Sequence, residues 1–526
     1  MASAKKSDVN LENAMVMADP ALADWLVAAP LILGFIFGAI CLMQRKNVLL
    51  QTRIALFGLL LMLIADIGLF INVWQNGTVV MTMGRWLPPF GITFAADMLG
   101  ATFALVAGIV GLAGGIYALS DVDSTSRRYG FYPFLLLMLA GVTTAFLTGD
   151  IFNLYVWFEV LLISSFGLIV LGSERRQLDG AIKYAFLNLV ATTLFLIGVA
   201  YLYGVFGTLN MADIARKAPA LQEAEGPHFA IAIMFLFAFA MKAAAFPLNA
   251  WLPASYHTPR IAVSAVFAGL LTKVGVYALL RIFLTMFPAD RDELGAVIAI
   301  IAALTMLVGA LGALAQTDIR RVLGYLVISG IGLMLAGLAL GSETGISGSI
   351  FYAAHSMIVM TALYLLAGII GRLMGTFDLH KAGGLYQASP WLGALCLVLA
   401  FSVSGLPPFS GLWPKVLLVK GSIDVGAWWL AAAIIVSGFL TTIAMVRVFS
   451  FSFWRTRAEG LVEIGPISRE GRIKLYAALG LTALTVIAGV YPEPFIQVSD
   501  RVAFELTHPQ TYIDAVFGGN QEGGGQ

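Results

Sequence analysis

Between Thr148 and Leu168 the chain reads TGDIFNLYVWFEVLLISSFGL, an apolar run of helix length with one carboxylate, Glu159, about two turns in. A bilayer core about 30 Å thick is crossed by about 20 apolar residues in a helix, so this run is long enough to span. A charge at the centre of such a span costs about 2.5 to 3.5 kcal/mol on insertion scales, and Glu159 therefore needs a reason to be there. The rest of the chain has the same character. Hydrophobic residues make up 60% of it and charged residues 12%, and the mean hydropathy is +0.89. A soluble domain carries about a quarter charged residues and has no way to hide this much apolar surface. The net charge of +1 excludes a strongly basic nucleic-acid binder. Cys41 and Cys396 lie far apart in apolar runs, without His or Cys at metal-ligand spacing, and read as small core residues. The opening MASAKKSDVNLENAMVMADP lacks the pattern of a cleaved signal peptide and reads as a polar tail.

Apolar runs begin near residues 25, 54, 98, 131, 151, 181, 229, 261, 294, 322, 347, 391, 427 and 473, which predicts an all-α polytopic membrane protein of about fourteen helices. The stretch Trp391 to Lys420 is too long for one span and reads as a single broken helix. Seventeen Lys and Arg fall in loops after odd-numbered runs and five in loops after even-numbered runs. The positive-inside bias then puts both termini on the outer side of a bacterial cytoplasmic membrane. An internal repeat accompanies this order. Asp150-Ile151 matches Asp318-Ile319, Tyr184-Ala185 matches Tyr352-Ala353 and Thr193 matches Thr361, each 168 residues apart. Five helices separate the copies, so the expected architecture is two inverted repeats, helices 4–8 and 9–13. The expected divisions are a tail (1–24), three N-terminal helices (25–130), the two repeats (131–290 and 291–450) and a final loop, helix and tail (451–526). Helices seven and twelve carry breaks at Pro247 and at Pro407-Pro408. Proline frees backbone carbonyls that lipid cannot satisfy, so each break predicts a polar cavity.

Ionisable residues cluster around these breaks. Glu159 lies in helix five, Lys242 just before the first break, Lys273 at the centre of helix eight, His355 in helix eleven and Lys415 just after the second break. A buried amine is disfavoured in its charged form, so a lysine in such a place can take and release protons near neutral pH. These five form the expected proton pathway, with Lys183 and Asp66 as further candidates. The structural alternatives are a fixed Glu159–Lys242 salt bridge, a hydrogen-bonded core histidine at 355, and a Lys415 that snorkels to the interface. Lys183 reads equally as loop charge, Asp66 lies outside the repeat, and Arg281 reads as an interfacial anchor. Neither a nucleophilic catalytic constellation nor a metal or cofactor motif is expected.

The segments TGDIFNLYVWFEVLLISSFGL, KAAAFPLNAWLP (Lys242–Pro253), FAGLLTKVGVYALLR (Phe267–Arg281) and SGLPPFSGLWPK (Ser404–Lys415) together resemble the antiporter-like subunits shared by Mrp-type cation/proton antiporters and respiratory complex I. The likeness is strongest to the D subunit of the Mrp type, from about Phe131 to Phe449. It implies proton transfer through the positions of Glu159, Lys242, Lys273 and Lys415, with His355 at a position where that family often has histidine. One departure is His257-Thr258-Pro259-Arg260-Ile261-Ala262, where the family pattern implies a further proline. The chain runs into GGNQEGGGQ soon after helix fourteen, so the long lateral helix of the longest complex I subunit is not expected. The resemblance implies a subunit of a hetero-oligomeric antiporter exchanging Na⁺ or K⁺ for H⁺. A proton-pumping subunit of an NADH:quinone oxidoreductase or membrane hydrogenase is the first alternative, and a membrane scaffold with purely structural charges the second.

Overall fold

The computed structural model describes residues 15–16, 20–223, 227–456 and 469–518. Most of the polar N-terminal tail, much of the basic loop before the last long helix, and the Gly-rich C-terminal tail lie outside the described residues. Helices dominate. They are α1 (Trp25–Met43), α2 (Val48–Asn76), α3 (Met98–Asp121), α4 (Phe131–Leu147), α5 (Ile151–Val170), α6 (Arg175–Phe206), α7 in two pieces (His228–Ala243 and Trp251–Ser255), and α8 (Ile261–Arg281). The second half holds α9 (Pro288–Ala315), α10 (Ile319–Leu340), α11 (Glu343–Met374), α12 in two pieces (Pro390–Ser404 and Leu412–Asp424), α13 (Trp428–Phe449) and α14 (Arg469–Val490). Two shorter helices, α15 (Glu493–Thr507) and α16 (Gln510–Gly518), follow. Among the described residues, eleven helices are long and apolar enough to cross a membrane, and α4 and the first pieces of α7 and α12 are shorter apolar helices.

Several helices start up to six residues before the apolar runs do, as at Val48, Arg175 and Pro288. Hydropathy registers only the stretch that lipid would cover, whereas helical hydrogen bonding begins at the cap. Asn47 caps α2 by accepting the Leu50 N–H at 3.1 Å, Asp97 caps α3 through Gly100 at 3.0 Å, and Asp150 caps α5 through Asn153 at 2.7 Å.

The repeat is written into the backbone bonds. Ile151 N–H donates to Leu209 O and Met211 N–H to Gly149 O, while Ile319 N–H donates to Phe377 O and Leu379 N–H to Thr317 O. Every atom of the second pair lies 168 residues after its counterpart. The same spacing relates the π-helical turns that close α8 and α13, Ile282–Met286 and Ser450–Trp454. Between these points the spacing falls to 161, which relates the left-handed Ala244 and Gly405 at the two helix breaks. The shorter connection after α11 and the longer second piece of α12 account for the shift.

Basic residues at the helix ends and connections that join α3 to α4, α5 to α6, α7 to α8, α9 to α10, α11 to α12 and α13 to α14 meet at one end of the bundle. Arg127, Arg176, Arg260, Arg320, Arg372 and Lys474 line a single polar cavity of about 700 Å³ there. At the opposite end β1 (Val79–Thr82) pairs antiparallel with β2 (Thr93–Ala96), Val79 facing Ala96. Met15 bridges to Trp86 and Phe94 to Thr148 at this end, and α16 packs there as well. Both ends of the described chain thus share the end away from the basic cavity.

Candidate functional site: a buried row of ionisable side chains

Helix α8 is the axis of the site, since every one of its residues is buried. Lys273, halfway along it, is wholly excluded from solvent, and its Nζ donates to Ala268 O at 2.7 Å. Two residues further on, Gly275 faces the backbone of Lys242 and Ala243, where a Cβ would stand 2.8 Å from the Ala243 nitrogen. Glycine here lets α8 press directly against the end of the first piece of α7.

That end carries Lys242 in its last turn, with Ala244 held at φ 62° to stop the helix. Protein groups satisfy the break. Phe246 N–H donates to Thr305 Oγ1 of α9 at 3.0 Å, and the Trp251 indole N–H donates to Met241 O at 3.1 Å. Lys242 itself is buried, and its Nζ has no hydrogen-bond partner among the described residues. It lies 5.3 Å from the centre of the Phe158 ring, within cation–π range. Glu159, the next residue on α5, is partly exposed on the flank of the bundle and is the electrostatic neighbour of Lys242. No ion pair within 4.0 Å joins the two, so the fixed bridge is not formed in this conformation.

On the other side of α8, His355 of α11 bonds through Nδ1 to Ser410 Oγ at 2.9 Å, and its Nε2 is buried without a partner among the described residues. Lys273 and Lys415 are both electrostatic neighbours of this imidazole. Lys415 reaches back across the break in α12. Its Nζ donates to Ser404 O at 2.6 Å and to Val403 O at 3.2 Å, the carbonyls exposed where the first piece of α12 ends. A cation at a helix C-terminus also meets the favourable end of the macrodipole. Gly405, at φ 81°, turns the chain there. Beyond Lys415 a groove of about 690 Å³ between α12 and α13 opens sideways, lined by Val416, Val419, Ile435 and Phe439.

The five pathway candidates therefore form a row across the middle of the bundle, in the order Glu159, Lys242, Lys273, His355, Lys415, from one flank to the other. Two further candidates stand apart. Lys183 lies exposed on α6, paired with Asp179 at 2.6 Å one turn earlier. Asp66 is fully buried against Gly108 of α3, with neither carboxylate oxygen hydrogen-bonded among the described residues. Arg281 is not an interfacial anchor. It is 1% exposed and forms a two-contact ion pair with Asp97, Nη1 to Oδ2 and Nη2 to Oδ1, each 2.7 Å. Sequence alone misses it because the partner lies 184 residues away. Among the described residues no group of three or more His, Cys, Asp or Glu is placed to hold a metal ion.

Residues 148–441, more than half of the chain, match the family described as NADH:quinone oxidoreductase/Mrp antiporter, TM. The chain belongs to this family. The Mrp antiporter side of it supplies close relatives. The D subunit of a Na(+)/H(+) antiporter of Alkalihalophilus pseudofirmus is 41% identical over 93% of this chain and 99% of its own length. The corresponding D subunit of Bacillus subtilis is 36% identical with the same coverage. Among solved structures, a chain of the Mrp complex from Dietzia sp. superposes with a TM-score of 0.85 at 29% identity, covering 95% of this chain and all of that one. A chain of respiratory complex I from Thermus thermophilus superposes at 0.79 with 25% identity, over 93% of this chain and 99% of that one. The antiporter-like fold and a multi-pass membrane setting follow for this chain.

Proposed function

We propose that this chain is the proton-conducting subunit of a multisubunit antiporter that exchanges Na⁺ or K⁺ for H⁺ across a bacterial cytoplasmic membrane. The observation that carries the reading is the row from Glu159 to Lys415, three lysines and a histidine held within the bundle with no carboxylate among the described residues bonded to any of the lysines. A lysine fixed in a tight ion pair has no reason to part with its proton. Buried lysines outside any ion pair, with at most an electrostatic neighbour such as Glu159 beyond contact distance, have one. Glu159 charged beside Lys242 favours the ammonium, and withdrawal of that charge releases the proton along the row. Antiporter subunits at 41% and 36% identity favour exchange over electron-driven pumping, for which the support is the lower-identity complex I likeness. The basic cavity faces the cytoplasm in this reading, all fourteen helical segments cross the membrane, and both termini lie outside, as the positive-inside bias requires. Other subunits of the complex cover the flanks where the row ends, at Glu159 and at the groove beside Lys415.

The deciding experiment uses the whole complex in inside-out vesicles, with proton movement followed on addition of Na⁺ or K⁺. Lys273→Ala should assemble at normal levels and lower exchange to background, because Lys273 stands between the two halves of the row. Normal exchange at normal protein levels would remove Lys273 from the route and with it this reading.

A further inference from the structure

Lys273, Tyr277 and Arg281 follow one another at four-residue steps on α8, so they line one face of that helix towards its C-terminal end. The two ends of α8 differ. Its first residues border the polar cavity of about 700 Å³, with Asp121, Arg260 and Lys474 in the wall. At its last residues the way is shut. Tyr277 donates to Phe146 O at 2.9 Å, and Arg281 lies against the Tyr277 hydroxyl at 3.4 Å and on both oxygens of Asp97.

The C-terminal helices lie over this pair. The Tyr512 ring of α16 sits 5.1 Å from the Arg281 guanidinium, and its hydroxyl is buried without a hydrogen-bond partner among the described residues. Glu505 of α15 accepts the Met98 N–H at 3.1 Å, next to Asp97, and is held by Arg501 at 3.0 Å. Arg501 in turn donates to Trp74 O at 2.6 Å and Val73 O at 3.2 Å at the end of α2. Beyond Arg281 the helix changes to a π-helical turn, Ile282–Met286, a form frequent at functional positions.

A buried ion pair adds little stability over apolar side chains of the same volume, because desolvation offsets the attraction. Burial of both partners thus calls for a role other than packing, and the place is the closed end of the helix that carries Lys273. We propose that Asp97 and Arg281, covered by Tyr512 and Glu505 of the C-terminal helices, are the gate between Lys273 and the aqueous face opposite the basic cavity. The inference rests on the proton-conducting reading above. With the pair closed, Lys273 communicates only with the row and the basic cavity. When it parts, water enters, Lys273 passes a proton to it and returns to the neutral amine.

The test is passive proton leak. Whole complex in vesicles is given a pH gradient with Na⁺ and K⁺ omitted, and the decay is compared with the unmodified complex. The double variant Asp97→Leu with Arg281→Met removes both charges at once and leaves neither buried alone. It should let the gradient decay several-fold faster, and adding Lys273→Ala should restore the slow decay. Wild-type decay in assembled complex, whether exchange persists or not, overturns the gate. If the double variant fails to assemble, Tyr512→Leu, which leaves the pair intact and uncovers it, is measured in its place, and wild-type decay there overturns the gate equally. Should Lys273→Ala alone leave exchange intact, the proton-conducting reading fails. Loss of exchange in that variant with no leak in the gate variants fails the gate alone.

Discussion

Lys415 and Ser404 are joined across the break in α12, Nζ to carbonyl oxygen at 2.6 Å, whereas Lys242 at the break in α7 bonds to nothing among the described residues. The two lysines therefore have different structural worth although both flank a break. Lys415→Met leaves the Ser404 and Val403 carbonyls without their donor, at about 1–3 kcal/mol for each buried group left unsatisfied. Lys242→Met removes a buried cation that has no hydrogen-bond partner among the described residues and should leave stability unchanged or raised. Melting of the purified complex should thus rank Lys415→Met below wild type and Lys242→Met at or above it, with exchange lost in both. The reverse ranking would show that the helix end at Ser404 has another donor.

Cysteine labelling checks the sidedness. Cys41 and Cys396 are buried, so new thiols report alone. Ser173 lies exposed in the loop after α5, at the end with the basic cavity, and Val425 lies exposed between α12 and α13. A cysteine at Ser173 should react with an impermeant maleimide only from the cytoplasm, and one at Val425 only from outside. Reaction of both from one side would break the alternation of the helices.

What the sequence makes legible follows from how lipid penalises charge. Lys242, Lys273 and His355 stand out because an apolar run tolerates so few ionisable groups, and the structure brings them together with Glu159 and Lys415. Their order along the row depends on packing, above all on Gly275 beneath Lys242, and no local pattern shows it. The Asp97–Arg281 pair is hidden for a related reason: a lone arginine near the end of an apolar run is a common interfacial anchor, and only the fold supplies its partner. Helices α15 and α16 escape a search for apolar runs because they are amphipathic. The repeat is visible at Asp150 and Asp318, yet its chemistry is not repeated. At the local spacings Lys242 corresponds to Val403 and Lys273 to Thr441, so one scaffold was used twice and its ionisable groups placed differently.

Asp150 offers a pH test outside the spans. Burial pushes its carboxyl up to about 6, against the pull of hydrogen bonds from the Asn153 and Phe152 amides. The folded state then binds a proton more tightly than the unfolded state. Stability falls as pH rises from the ordinary value of 3.8 to about 6 and stays lower above it. The full deficit is about 3 kcal/mol at most. Asparagine caps a helix as well as aspartate does. Asp150→Asn should therefore melt higher than wild type, by a margin that grows from about pH 4 to about pH 6 and then levels off. A margin independent of pH would mean that the buried carboxyl is not strained by its charge.

The Glu159 and Lys242 pair separates relay from bridging. Were the two a fixed buried bridge, Glu159→Gln and Lys242→Met would each cost about 3–5 kcal/mol by stranding the other charge, and the double variant would recover both stability and transport. The structure shows no contact of that kind: Lys242 lies over the Phe158 ring at 5.3 Å, and Glu159 is partly exposed on the flank. Each single change should then cost far less than a broken bridge. Transport has a different requirement, since Lys242 must gain and lose its proton and Glu159 must supply the charge that times it. Neither Gln nor Met does either. The double variant should fold, assemble and remain silent in vesicles, while Glu159→Asp, which keeps the charge but shortens its reach, should retain exchange with an altered pH profile. Recovered exchange in Glu159→Gln with Lys242→Met would sink the relay role of this pair, because a route that works without both groups does not pass through them.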